Sequence, residues 1–364
     1  MKILIMANSD IGLFKFRREL LEELVKHYRV YVSVPDGEFV PDIKNLGCRT
    51  SICRLMDRRG TNPLKDLRLL EYYCRLVKKI RPDMVFTYTI KPNVYGGLVC
   101  RKYSIPYVAN VTGLGTAIEN GGILQKITLF LYKYGLKNAQ KVFFQNTENR
   151  DFFLRKKIVT TPYELLPGSG VNTECYPLLP FPECGDGKTG IPVRFAFISR
   201  IMRAKGIEQY LAMAKKIKKK YPATEFHVCG FCEEEYEGRL EELNAKGIIN
   251  YHGMIHDVSG FMRKMHCIVH PTYYPEGLSN VLLEACASGR GIITTDRSGC
   301  REVVRDGVNG FMVPEKSSME LAEAVERFLS LSWEEKRMIG MEGRKLVEEK
   351  YNRQIVVDTY LREI

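Results

Sequence analysis

No stretch of this sequence is apolar enough to cross a bilayer. The most apolar one, residues 123–136, is broken by Lys126 and Lys133, whereas a spanning helix needs roughly 18 uninterrupted apolar residues. The opening MKILIMANSD carries a short apolar run without a cleavage site, which does not read as a signal peptide. There is no low-complexity tract and no repeating unit, which sets aside solenoids and disordered polar tails. No GxGxxG follows the first apolar run, which disfavours a dinucleotide-dependent dehydrogenase. Asp-x-Asp is also missing, so no carboxylate pair is evident for a metal bridging a diphosphate. No metal and no cofactor are expected. The 11 cysteines are odd in number and irregular in spacing. Without a leader they read as free thiols of a reducing cytoplasm. Cys229-Gly230-Phe231-Cys232 has the spacing of a redox pair. No second CxxC completes a zinc site, so it reads as two small residues in a strand-to-helix turn.

What is present points to two domains, because 364 residues exceed one ordinary core. Short β-branched runs predict strands at 2–7, 29–34, 49–55, 83–88, 106–111 and 141–144, with helical patterns at 64–80, 123–138 and 147–157 between them. Leu13, Phe16, Leu20 and Leu24 add another helix at the start. From 166 to 192 the chain is rich in Pro and Gly and lacks periodicity, as a linker does. Alternation then resumes, with strands at 194–198, 225–228, 249–252, 267–270 and 291–294. Helices are expected at 207–220, 233–246 and 258–265, from Asn280, and over most of the tail. Alternating strands and helices give parallel sheets covered on both faces. The fold class is therefore α/β: two doubly wound domains with a cleft between them, ligands lying at the carboxyl ends of the strands.

Strand 194–198 is followed by Ser-Arg-Ile-Met-Arg-Ala-Lys-Gly, which puts Arg200 and Lys205 ahead of a helix. A planar guanidinium and a compact ammonium suit a diphosphate, although solvated surface cations look the same in sequence. The stretch HPTYYPEGLSNVLLEACASG (270–289) supplies context. Ser279 is an N-cap candidate for a helix starting at Asn280, and the amides around Gly277, Leu278, Ser279 and Asn280 form an anion site. Glu284 then lies about 7 Å along the helix axis. That is the step from a phosphate to the ribose of the same nucleotide, where a carboxylate accepts both hydroxyls. Glu276, on the loop side, reaches the opposite end of the ligand. A buried helix with an incidental acid is the bland alternative.

Arg200…Lys205-Gly206, then P-E-G-L-S-N-V-L-L-E-A with Gly289, then GCREVVRDGVNGFMVP (299–314) together resemble the donor half of the GT-B retaining glycosyltransferases of family 4. The resemblance implies two Rossmann-like domains facing across a cleft. Residues 1–170 would bind the acceptor, 171–191 would link, and 192–351 would bind a nucleotide-sugar donor, a helix near 352–364 crossing back onto the first domain. It further implies that Glu284 holds the ribose and Glu276 the donor sugar, while Arg200 and Lys205 hold the diphosphate and stabilise its departure. His252-Gly253-Met254 matches where the family places the nucleobase. On the acceptor side Gly12, Lys91, Thr112 and Gly113 fall in the corresponding loops. Thr112 stands where many relatives carry histidine, and only one glycine remains in the first loop.

The charge is uneven. Residues 1–185 hold 28 Lys and Arg against 17 Asp and Glu, a net +11, and the remainder 27 against 26, a net +1. Lys65, Arg68, Tyr72, Arg75 and Lys79 recur at helical spacing, as do Lys126, Phe130, Lys133 and Lys137. Such faces suit an anionic membrane surface, and no nucleic-acid module accompanies them. The expectation is a cytoplasmic enzyme resting on the inner face of the plasma membrane. It would transfer a sugar, UDP-linked in preference to GDP-linked, to a polyprenyl-diphosphate-linked saccharide of bacterial surface polysaccharide. The rivals are a nucleotide-sugar epimerase of the same form and a non-catalytic anion-binding surface protein.

Overall fold

The computed structural model describes every residue except 57–61, 116, 117, 119, 120 and 189. The described residues form two compact units: 1–170 with 276–278 and 353–364, and 171–275 with 279–352.

The first unit is built on seven parallel strands in the order β3-β2-β1-β4-β5-β6-β7. These are β1 (Lys2–Met6), β2 (Arg29–Val34), β3 (Arg49–Ile52), β4 (Met84–Tyr88), β5 (Tyr107–Val111), β6 (Lys141–Phe144) and β7 (Tyr163–Leu165). Strands β4 and β5 are buried at every position, so their near-continuous apolar runs are what a doubly covered parallel sheet requires. The strand order reverses beside β1, which pairs with β2 on one edge and β4 on the other. A switch point of this kind opens a crevice at the strands' carboxyl ends. The Asp10–His27 helix starts there, with Ser9 as N-cap accepting from the Gly12 amide at 3.0 Å. Gly12 thus lies inside the first helical turn rather than in the loop where it was expected.

The second unit has six parallel strands in the order β10-β9-β8-β11-β12-β13. They are β8 (Val193–Ile198), β9 (Thr224–Cys229), β10 (Asn250–Tyr251), β11 (Cys267–His270), β12 (Gly291–Thr295) and β13 (Gly310–Val313). One face is closed by the Ile207–Lys220 and Ser318–Ser330 helices, which share a core with Phe195, Phe197, Phe226 and Phe328. The Asn280–Ala287 and Trp333–Lys350 helices pack together. Gly340 seals that contact, because a Cβ there would lie 2.1 Å from the Gly289 carbonyl oxygen.

Strand β7 and strand β13 escaped the sequence reading, as did the Val40–Asn45 helix and the helical segment spanning Pro92–Gly96 and Gly97–Lys102. The strands have three and four residues, too few for a period to declare itself. The helix expected from residue 233 begins at Glu237. Tyr72, expected in a basic aromatic face, turns inward: its hydroxyl lies 3.2 Å from Ser33 Oγ and donates to the Ser51 carbonyl at 3.4 Å.

Candidate functional site

The loop that leaves β8 carries both expected cations, and the loop that leaves β11 carries the ring they approach. After β8 the chain makes a short turn, Arg203–Lys205, ended by Gly206 at φ +81°. A side chain at Gly206 would place its Cβ 2.1 Å from the Pro271 carbonyl oxygen, so glycine is required by both backbone and neighbour. The Tyr273 amide donates to the Ala204 carbonyl at 2.9 Å and Thr272 Oγ1 to the same oxygen at 3.4 Å. These bonds join the two loops. The result is that Arg200 and Lys205 both approach one aromatic ring, Tyr274, with Arg200 Cζ at 5.1 Å and Lys205 Nζ at 4.9 Å from its centroid. An aromatic face attracts both charges and holds two like charges near each other. Lys205 is only 7% exposed, which rules out the reading of it as a solvated surface cation. Arg200 also forms an ion pair with Glu233.

The Asn280–Ala287 helix is the second component. Leu282, Leu283, Ala285, Cys286 and Ala287 are buried, while Asn280, Val281 and Glu284 remain partly open. Positions i, i+1 and i+4 share one side of a helix, so Glu284 and Asn280 stand in the single uncovered stripe. Ser279 occupies the N-cap position, but its hydroxyl makes no capping bond and is buried without a partner, as is Asn280 Oδ1. The expected capping role is therefore corrected to one of position only. Its main-chain N–H is instead tied to the Gly299 carbonyl at 2.8 Å, which brings the start of the 299–314 segment to the helix. The next amides are left without a side-chain acceptor, an arrangement that favours an anion at this end.

Residues 276–278 group with the first unit. Asn146 Nδ2 donates to the Gly277 carbonyl at 2.6 Å and to that of Glu276 at 3.1 Å. A Cβ on Gly277 would sit 2.3 Å from both Gln145 Oε1 and the Thr112 carbonyl oxygen. Leu278 lies against Gly168. Thr112, expected on the acceptor side, and Gly277, expected among the donor-binding residues, are therefore in direct contact. Gly113 is in an unusual conformation (φ +149°) just after β5. Lys91 forms an ion pair with Asp66 at 2.8 Å; its charge is answered by this carboxylate, which the sequence reading did not anticipate. Two residues before it, Thr89 has φ +73°. A β-branched residue in that region is strained, and such strain concentrates at functional positions.

Gly253 (φ +62°) follows β10, its carbonyl accepting from the Gly230 amide at 2.7 Å, and Met254 beyond it is half exposed. The ring of His252 points elsewhere. It stacks on His227 at 5.2 Å with Nε2 2.9 Å from His227 Nδ1. Both rings line a groove of about 800 Å³ with Arg194, Glu225, Phe261 and Lys264. Burial pushes His227 from 6.5 down to about 4, and His266, which accepts from the Arg194 amide, likewise to about 4. These rings stay neutral in the folded unit and charge near 6.5 in the unfolded chain, so unfolding between those values takes up protons. Stability of the second unit should then fall as pH drops from about 6.5 toward 4, by roughly 1–2 kcal/mol per ring at pH 5. A thermal melt that is flat from pH 7 to 5 would contradict this.

Among the described residues no cluster of His, Cys, Asp and Glu is arranged to hold a metal ion, and no helix is long and apolar enough to cross a membrane. Tyr274, Glu233 and Asn146 were missed from the sequence. Each acts through a contact made in space by a neighbouring loop, with no local pattern to announce it.

Residues 188–346 match the family described as glycosyl transferases group 1, and residues 2–146 the one described as glycosyl transferase 4-like. The chain is 25% identical, over its whole length and 98% of the relative's, to the N,N'-diacetylbacillosaminyl-diphospho-undecaprenol alpha-1,3-N-acetylgalactosaminyltransferase of Campylobacter jejuni. It is 29% identical to the capsular polysaccharide biosynthesis glycosyltransferase CapM of Staphylococcus aureus, across 46% of each chain. Among solved structures, Anabaena HepE in complex with UDP and glucose aligns with a TM-score of 0.80 at 16% identity, over 100% of this chain and 98% of that one. The sucrose-phosphate synthase of Thermosynechococcus elongatus aligns equally well, at 0.80 and 19% identity, over 100% and 98% of the two chains.

Proposed function

The chain belongs to the GT-B glycosyltransferases with group 1 and family-4-like domains, and from that membership we propose that it transfers a sugar from a UDP-sugar to a polyprenyl-diphosphate-linked saccharide. The convergence of Arg200 and Lys205 on Tyr274 is the observation that carries the reading. A cation pair, one member buried and one partly exposed, gathered at a ring on the loop that leads into a helix start with uncapped amides suits a diphosphate. The UDP choice is supported by the UDP complexes of HepE, and the acceptor class by the name of the Campylobacter relative. In this proposal the metal's usual task falls to the protein: Arg200, Lys205 and the 280–287 helix amides take up charge as the nucleoside diphosphate leaves. Glu276 orients the donor sugar. The anomeric configuration is retained, with the acceptor hydroxyl attacking on the face the leaving phosphate vacates and its proton passing to that phosphate. The enzyme works at the inner face of the plasma membrane, on a step of surface polysaccharide assembly.

Two measurements test the donor half. UDP present at 100 times its Kd should stabilise the protein by about 2.7 kcal/mol in a thermal melt, and GDP or ADP at the same concentration by much less; equal shifts from all three would remove the nucleotide assignment. Glu284→Gln gives up charge-assisted bonds to the ribose hydroxyls, worth about 2 kcal/mol, so UDP affinity should weaken roughly 30-fold. Titration calorimetry reads this directly, and an unchanged Kd would place Glu284 outside the nucleotide site. The reaction itself is tested by incubating radiolabelled UDP-sugars with polyprenyl-diphosphate saccharides and following label into lipid.

A further inference from the structure

The Gly122–Leu136 helix wears its apolar side chains on the wrong side for a helix facing water. Ile123 is 78% exposed, Phe130 59% and Ile127 51%, and Leu124 and Tyr134 are also exposed. At helical spacing these five fall on one arc, and Lys126, Lys133 and Lys137, all exposed, run along its border. Single exposed apolar residues are ordinary, but a continuous row beside a row of cations marks an interaction surface. The helix is not loosely attached, because its other side is fitted closely. A Cβ on Gly135 would lie 2.7 Å from Val94 Cα, and the Gly135 carbonyl accepts from Tyr107 Oη at 2.6 Å. Phe130 and Tyr134 hold their rings 4.7 Å apart on the outer arc. Two left-handed glycines, Gly121 and Gly122, turn the chain into the helix with nothing within 4 Å of either added Cβ.

We infer that this helix seats the first unit on an anionic phospholipid bilayer, with Ile123, Ile127, Phe130 and Tyr134 entering the headgroup boundary and the three lysines meeting lipid phosphates. The inference rests on the lipid-linked acceptor reading and specifies how the enzyme reaches that substrate. Charge selects the occupant. A second copy of the chain would oppose lysine to lysine in a half that already carries +11, whereas an anionic leaflet is complementary. The Pro63–Ile80 helix packs on the same 92–102 segment and exposes Leu64 and Leu67 beside Lys65 and Arg68, extending the surface. The docking helix also touches the segments that follow two of the loops expected on the acceptor side. It packs on the turn at Asn93 and Val94, and Gln125 donates to the Ile118 carbonyl beyond Gly115. Seating the helix therefore fixes both loops at the bilayer surface, where a polyprenyl-anchored acceptor presents its diphosphate.

The test is co-sedimentation of the full-length protein with vesicles of phosphatidylcholine alone and with phosphatidylglycerol added, in the absence of donor and acceptor. Vesicle binding thus stands or falls independently of transferase activity. The wild type should pellet with the anionic vesicles. The double variant Ile127→Asp/Phe130→Asp should bind them at least tenfold more weakly, and Lys126→Gln/Lys133→Gln about fivefold more weakly for each lysine removed. All four side chains point away from the core, so circular dichroism should show unchanged folding. The inference is overturned if the wild type stays in the supernatant, or if the aspartate variant pellets like the wild type. It is also overturned if salt alone abolishes binding, since the apolar contribution is unscreened. A dimer in light scattering that the aspartate variant dissolves, without vesicle binding, would name a second copy as the occupant instead.

Discussion

Lys205→Met should lower kcat by roughly 10²–10³-fold, the loss seen when one preorganised charge-stabilising group is removed from a developing anion. The size of the effect follows from placement. Lys205 is 7% exposed and stands with Arg200 around Tyr274, where lower polarity makes its charge count for more than at a surface. Methionine keeps the apolar stem and removes only the ammonium, so packing against Tyr274 survives. UDP affinity should fall much less than kcat, because the charge on the departing diphosphate grows as the glycosidic bond breaks. Single-turnover transfer and UDP titration on the same preparation separate the two quantities. If kcat stays within about threefold of wild type while the fold is intact, Lys205 has no part in leaving-group stabilisation. Arg200→Met gives a useful contrast: it also removes the ion pair with Glu233, so it should depress the melting temperature as well.

The same residues show what a sequence discloses and what it withholds. Strands β1, β4, β5 and β11 were legible because a parallel sheet covered on both faces demands continuous apolar runs, and few other structures do. The 280–287 helix was legible from its start at Ser-Asn and its apolar stretch. The outcome at Ser279 was not legible, since its amide is taken by the Gly299 carbonyl, twenty positions away, while its hydroxyl is buried without a capping bond. Lys91 illustrates the same limit: sequence shows a cation at a helix start, and only packing brings Asp66 to it. Tyr274 lay in plain view within HPTYYPEGLSN, yet its importance comes from two cations that arrive from another loop. The 122–136 segment read as a basic aromatic face. Its structure shows a different emphasis, because the core chose Thr128, Tyr132 and Leu136 and left Ile123 and Ile127 outside.

Tyr360→Ala should destabilise the first unit by about 3–5 kcal/mol, the range for emptying an aromatic site in a core. Tyr360 lies on the last helix, Arg353–Leu361, more than 200 residues beyond the strands it packs on. Its ring sits among Phe86 at 5.1 Å, Phe143 at 4.9 Å and Tyr88 at 6.0 Å, and its hydroxyl accepts from Asn110 Nδ2 at 2.7 Å. Asn110 is fully buried, and its carbonyl in turn receives Asn93 Nδ2 at 2.8 Å. The alanine change thus opens a cavity and leaves a buried donor unmatched at the carboxyl ends of β4 and β5, where the acceptor-side loops begin. Tyr360→Phe keeps the ring and removes only the hydroxyl, so it should cost about 1–3 kcal/mol. Arg353, which pairs with Glu19 at 2.9 Å and donates to the Gly170 carbonyl at 3.1 Å, keeps the helix attached in both variants. Urea unfolding with and without UDP distinguishes the units, since the nucleotide should protect the second one alone. The alanine variant should move the UDP-insensitive transition and leave the UDP-sensitive one in place. A shift confined to the UDP-sensitive transition would mean that the terminal helix supports the donor unit instead, and a total loss under about 1 kcal/mol would mean that it supports neither.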